Sequence, residues 1–112
     1  NAIELVSRHD PFQAGESKTV PCVENAFAAW AYRVEGGVLQ RGGTDLTGQM
    51  KNGQLTWTAP DGAGNWQLWT FGTRVKGGSL NPLQAGAGEH GAAADAVCRR
   101  TVVAIEERHA GA

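Results

Sequence analysis

Polar and apolar residues alternate most cleanly between positions 53 and 75. Leu55, Trp57 and Ala59 fall on one face, and Gln54, Thr56 and Thr58 on the other, the two-residue period of a half-buried strand. Pro60 ends that run because it has no N–H to give to a ladder. Asp61-Gly62 and Gly64-Asn65 supply residues that tolerate positive φ. The next run puts Trp66, Leu68 and Thr70 on one face, and Gln67, Trp69 and Phe71 on the other. The pattern predicts an antiparallel hairpin, with 54–58 paired to 66–70 and with Trp57 and Trp66 buried. Three of the chain's four Trp residues lie here, which marks the hairpin as the nucleus of a β-domain.

Upstream, Ile3 and Leu5 alternate with Glu4 and Val6, predicting a first strand over 2–7. Arg8-His9-Asp10-Pro11 is expected to break it, since the residue before Pro avoids the helical region. A second strand is expected over 18–24, with Val20 and Cys22 on one face. Pro21 inside it argues for an edge or a bulge. Residues 25–34 are rich enough in Ala for a helix. The alternation of Ala28, Trp30, Tyr32 and Val34 against Ala29, Ala31 and Arg33 instead favours a strand from 28 onward, followed by a Gly36-Gly37 turn. Asn52-Gly53 is the strongest two-residue turn signal in the chain. Residues 76–90, with Gly77, Gly78, Pro82, Gly86 and Gly88, read as loop. Residues 92–109 read as a helix in which Val97, Thr101, Ala104 and Ile105 share a face, flanked by Cys98 and Val102.

At 112 residues the chain is expected to form one domain, 1–112. Sixteen Gly residues fit many turns and short strands. A net charge of −1 with both signs dispersed gives no footprint for nucleic acid or an anionic membrane. No apolar run approaches the ~20 residues of a membrane-spanning helix. The chain begins at Asn1 rather than Met, which predicts that residues were removed ahead of it. In an oxidising compartment Cys22 and Cys98 can pair across a long loop; two buried free thiols are the alternative.

Thr44-Asp45-Leu46-Thr47-Gly48, then 52–62 (Asn-Gly-Gln-Leu-Thr-Trp-Thr-Ala-Pro-Asp-Gly), then Trp66-Gln67-Leu68 form a pattern. It resembles strands of α-L-rhamnosidase-type and related large secreted glycoside hydrolases. There the pattern belongs to a β-sandwich attached to a catalytic barrel or inserted beside it. The resemblance covers 44–76; residues 77–112 lie outside it. It implies an antiparallel, jelly-roll-like β-sandwich, an extracytoplasmic location, and a glycan or a neighbouring catalytic domain as partner. The motif's physical content is structural: Asp45-Leu46-Thr47 can fold as an Asx or Ser/Thr turn with Leu46 plugging the core, and Trp57 and Trp66 can pack inside.

A sugar-binding surface needs a flat aromatic ring with amides or carboxylates beside it. Trp69, Phe71 and Gln67 share a face, Trp30 and Tyr32 extend it, and Thr56 and Thr58 widen it, so this is the candidate platform. Against it stands the usual fate of large aromatics, which is the core, with both faces covered, one by the second sheet and one by the C-terminal helix. Catalysis has less to stand on. Asp45 and Asp61 sit in turns, Glu106-Glu107 at a helix end, and no carboxylate pair stands out. His9, His90 and His109 are scattered without metal-ligand spacing, and no cofactor motif is present. The expected function is a non-catalytic carbohydrate-binding or accessory module. The alternatives are a small protein-interaction domain using a Trp-rich sheet face and a small hydrolase.

Overall fold

The computed structural model describes residues 3–78 and 92–110. Among the described residues eight strands form two antiparallel sheets, and a C-terminal helix covers the outer face of the larger one. The strands are β1 (Leu5–Gln13), β2 (Ser17–Pro21), β3 (Ala26–Glu35), β4 (Val38–Leu39), β5 (Thr44–Asp45), β6 (Met50–Lys51), β7 (Gln54–Thr58) and β8 (Asn65–Gly72). The helix α1 is Ala92–Ala110, and a 3-10 turn spans Thr47–Gln49. The larger sheet runs β1-β8-β3-β4, with β5 also on β3, and the smaller runs β2-β7-β6. First pairs with last and second with seventh, so the chain is a β-sandwich with a helix added as a third layer.

Alternation decides which layer each residue enters. In β8, Trp66 and Leu68 face the smaller sheet and join Phe12, Val20, Ala29, Ala31, Leu46, Leu55, Trp57 and Ala59 in the inter-sheet core. Trp69 and Phe71 face the other way and join Ala28, Trp30 and Tyr32 under α1. β3 splits by the same parity, Ala29 and Ala31 inward, Ala28, Trp30 and Tyr32 toward the helix. A β3 strand covered on both faces explains why its residues look as much like helix as strand.

The predicted hairpin needs correction. Strands 54–58 and 65–72 form, and Trp57 and Trp66 are buried, but the strands do not pair. β7 pairs with β2 and β6, and β8 with β1 and β3. The loop after Pro60 carries the chain from one sheet to the other. Gly62 and Gly64 take φ of 136° and 80° there. The Arg33 guanidinium donates to the Ala63 carbonyl and, at 3.4 Å, to that of Asp61, pinning the crossing. The two indoles meet edge to face across the sandwich at 5.3 Å.

Other expectations hold locally. Asn52-Gly53, both at positive φ, closes a two-residue turn whose flanks register as Lys51 with Gln54. Asp45 Oδ1 accepts the Thr47 backbone N–H at 2.9 Å, and Leu46 is buried between the sheets. Pro21 lies in the edge strand β2.

The N-terminal strand is longer than its pattern suggests. It continues through Arg8 and His9, and its pairing with β8 shifts register between His9 and Phe12, which accommodates Pro11. The helix turns differently from its expected stripe. Ala94, Val97, Cys98 and Val102 are buried and Ala104 is exposed, so Cys98 and Val102 are central to the packed face. From 79 onward the expected 76–90 loop lies outside the described residues.

Candidate functional site

The candidate platform is not open to solvent. α1 lies on it, and Trp69 is 1% exposed, Tyr32 and Phe71 0%, and Trp30 4%. Trp69 and Phe71 stack on one another, with centroids 6.4 Å apart. Tyr32 donates its hydroxyl to Asp95 Oδ1 on the helix at 3.0 Å. These four aromatics are core for a plain reason: a sheet face with two indoles, a phenol and a phenyl ring finds more apolar area under a helix than in water. With the helix in place neither a glycan nor a protein reaches this Trp-rich face. Thr56 and Thr58 do not widen it either. They belong to the smaller sheet, where Thr56 meets Thr19 at 2.7 Å and Thr58 donates to Ser17 at 3.0 Å.

Gln67 is the platform residue that keeps contact with an accessible cavity. Its Oε1 accepts the Trp69 indole N–H at 3.0 Å, and its Nε2 donates to Glu106 Oε1 at 3.4 Å. Glu106 Oε1 also meets Arg8 Nη1 at 2.8 Å, and Arg8 Nη2 meets Asp10 at 2.6 Å. A polar chain thus runs from a buried indole to the surface. The hydrogen bond that Arg8 donates to Asp10, with the charges of Asp10 and Glu106, holds the Arg8 guanidinium above its ordinary pKa against the opposing effect of partial burial.

On the β4 side of α1, Gln67 lines a cleft of about 310 Å³ with Val34, Gly37, Leu39, Val103, Glu106 and Glu107. A smaller hollow of about 110 Å³, lined by Asp10, Pro11, Val34, Asn65, Trp66 and Gln67, shares two of those residues. The combined surface has aliphatic walls and a rim of amides and carboxylates. It can accept and donate hydrogen bonds to hydroxyls beside an apolar patch. The sequence pointed to Gln67 through the parity of β8. It did not reveal Arg8, Asp10, Glu106 or Glu107, because a charged residue beside an expected strand break or at a helix end reads as solvated whatever it touches.

The cysteines are free thiols rather than a disulfide. Cys98 packs with the aromatics under α1, whereas Cys22 packs against the inter-sheet core, so the large sheet separates them. Burial, reinforced by the charges of Asp95 and Asp45, pushes the Cys98 thiol up to about 12. Burial also pushes Cys22 up. Both therefore stay protonated at neutral pH, the unreactive form. His9 Nε2 lies 3.1 Å from the Pro21 carbonyl. His90 lies outside the described residues. Among the described residues no group of three or more His, Cys, Asp or Glu is placed to hold a metal.

The fold and site define an antiparallel two-sheet β-sandwich with a helix over its larger sheet and a mixed polar–apolar cleft along that helix. Compared with protein-family models, curated proteins and solved structures, the chain matches none.

Proposed function

We propose that the chain is a non-catalytic accessory module associated with glycoside hydrolysis, extracytoplasmic, and that it binds a carbohydrate in the Gln67–Glu106–Glu107 cleft. The observation that carries this reading is the junction at Gln67. An amide anchored from behind by the Trp69 indole stands beside two carboxylates and the aliphatic walls of Val34, Leu39 and Val103. Pre-anchored polar groups next to an apolar wall suit a ring with one hydroxylated edge and one apolar face. The resemblance of residues 44–76 to strands of secreted glycoside hydrolases supports the accessory role, and its Asp45, Leu46, Asn52, Gly53, Trp57 and Trp66 serve turns and core rather than a site.

An open cleft with no exposed stacking ring gives weak affinity, on the order of 10⁻⁴ to 10⁻³ M, about −4 to −5.5 kcal/mol. The test is a panel of plant polysaccharides and their oligosaccharides, followed by calorimetric titration of the best binder. Glu107 is exposed, so Glu107→Ala should weaken binding severalfold while leaving the thermal melt in place. Binding by no member of the panel, or binding indifferent to Glu107→Ala, refutes the cleft as a glycan site.

A further inference from the structure

Resting on the accessory-module reading, we infer that the notch between β1 and α1 receives an extended acidic segment of the neighbouring domain, added as a strand to the free edge of β1. Three observations meet at this place. First, β1 ends the larger sheet, and among the described residues its outer edge pairs with no strand. Such an edge presents a row of N–H and C=O groups that can template another strand. Second, a groove of about 460 Å³ lies between β1 and α1, with Ile3, Val6, Val97 and Ile105 in its lining. Ile3, Val6 and Ile105 are only partly buried against the aromatic core, so this flank of the core is incompletely sealed. Third, Arg100 and Arg108 line the same groove and are exposed, and among the described residues neither forms an ion pair.

The acidic residue in that lining, Glu4, is already engaged. Its carboxylate accepts the Thr73 hydroxyl and, at 3.1 Å, the Arg74 backbone N–H. The Arg74 guanidinium lies 3.8 Å away. The groove therefore keeps a net positive rim over an apolar floor, and complementarity asks for the reverse: carboxylates flanking an apolar side chain.

The free strand edge asks for an extended occupant, and spacing then places its charges. Arg100 and Arg108 are eight helical residues apart, about 12 Å along the axis. In an extended chain, residues four apart point to the same side and lie about 13 Å apart. A segment of the form acidic–x–apolar–x–acidic thus presents one carboxylate to each guanidinium and its central side chain to Ile3, Val6 and Ile105. Acidic residues four apart on a helix are separated by only about 6 Å and reach one arginine at a time.

The probes are two end-blocked, fluorophore-labelled peptides, Glu-Thr-Val-Thr-Glu and Lys-Thr-Val-Thr-Lys, titrated against the full chain by anisotropy. The acidic peptide should bind about tenfold more tightly or better, and an Arg100→Ala/Arg108→Ala variant with an unchanged melt should lose about that factor. Binding should also slow amide hydrogen exchange in the 5–9 stretch of β1, the signature of strand addition. Equal binding of both peptides, indifference to the double variant, or binding without slowed exchange in β1 overturns the inference. The glycan titration addresses the β4 side of α1, so either result can fail while the other stands.

Discussion

The Trp69 indole N–H donates to Gln67 Oε1, two residues back on the same face of β8, at 3.0 Å. One partner is sealed under α1 and the other reaches a cleft. The bond therefore joins the aromatic core to the candidate site, and replacing Gln67 by a side chain without an acceptor leaves a buried donor unpaired.

Burial makes Trp69 a stability residue. Trp69→Ala should cost about 3–5 kcal/mol, the range for a buried large aromatic. Denaturant melts check this. A loss below about 1 kcal/mol would mean that the helix does not cover the ring and that an open platform exists after all.

Much of this was legible in the chain, and the limits have physical causes. Parity in β8 correctly separated Trp66 and Leu68 from Gln67, Trp69 and Phe71. Asn52-Gly53 and Asp45-Leu46-Thr47 behaved as their local chemistry dictates. Pairing was not legible, because alternation says which way a side chain points and nothing about which strand lies beside it. β7 and β8 look like hairpin arms, yet each finds its neighbours elsewhere. The sequence offered the C-terminal helix as the cover of the second face of β8 but could not decide between that cover and solvent, since the outcome depends on where a helix twenty residues downstream docks. Its apolar stripe is narrow, so a small rotation exchanges Cys98 and Val102 for Ala104 on the packed side.

Trp57 and Trp66 belong to different sheets and touch edge to face at 5.3 Å. A double-mutant cycle with Trp57→Leu and Trp66→Leu should give a coupling of about 0.5–1.5 kcal/mol. Additive effects would show that the rings do not meet.

The crossing between sheets depends on Gly64. Its φ is 80°, and a Cβ there would stand 2.2 Å from the Val34 carbonyl oxygen, a backbone atom. Gly64→Ala should destabilise by more than about 1 kcal/mol, whereas Gly53→Asn, at a positive φ with open space around it, should cost much less. Equal small losses at both sites in urea melts would contradict the crossing.

The Cys98 thiol ionises near 9.0 when unfolded and near 12 in the fold, with burial the chief cause. The unfolded chain thus gives up this proton first. The stability tied to the thiol is complete below pH 9, falls as pH rises, and is lost through 12. Maleimide labelling of the native chain at pH 8 should leave Cys98 unmodified, and unfolding should expose two thiols. Intact mass before and after reduction should be the same; a gain of two hydrogens on reduction would restore the disulfide.

Backbone amide shift mapping during titration with the tightest oligosaccharide of the panel tests the functional account most directly. The account predicts concentrated shifts at Val34, Leu39, Gln67, Val103, Glu106 and Glu107, with the Trp69 indole N–H moving through its bond to Gln67. Shifts centred on the Thr19 and Thr56 face of the smaller sheet, or none at millimolar sugar, would contradict it.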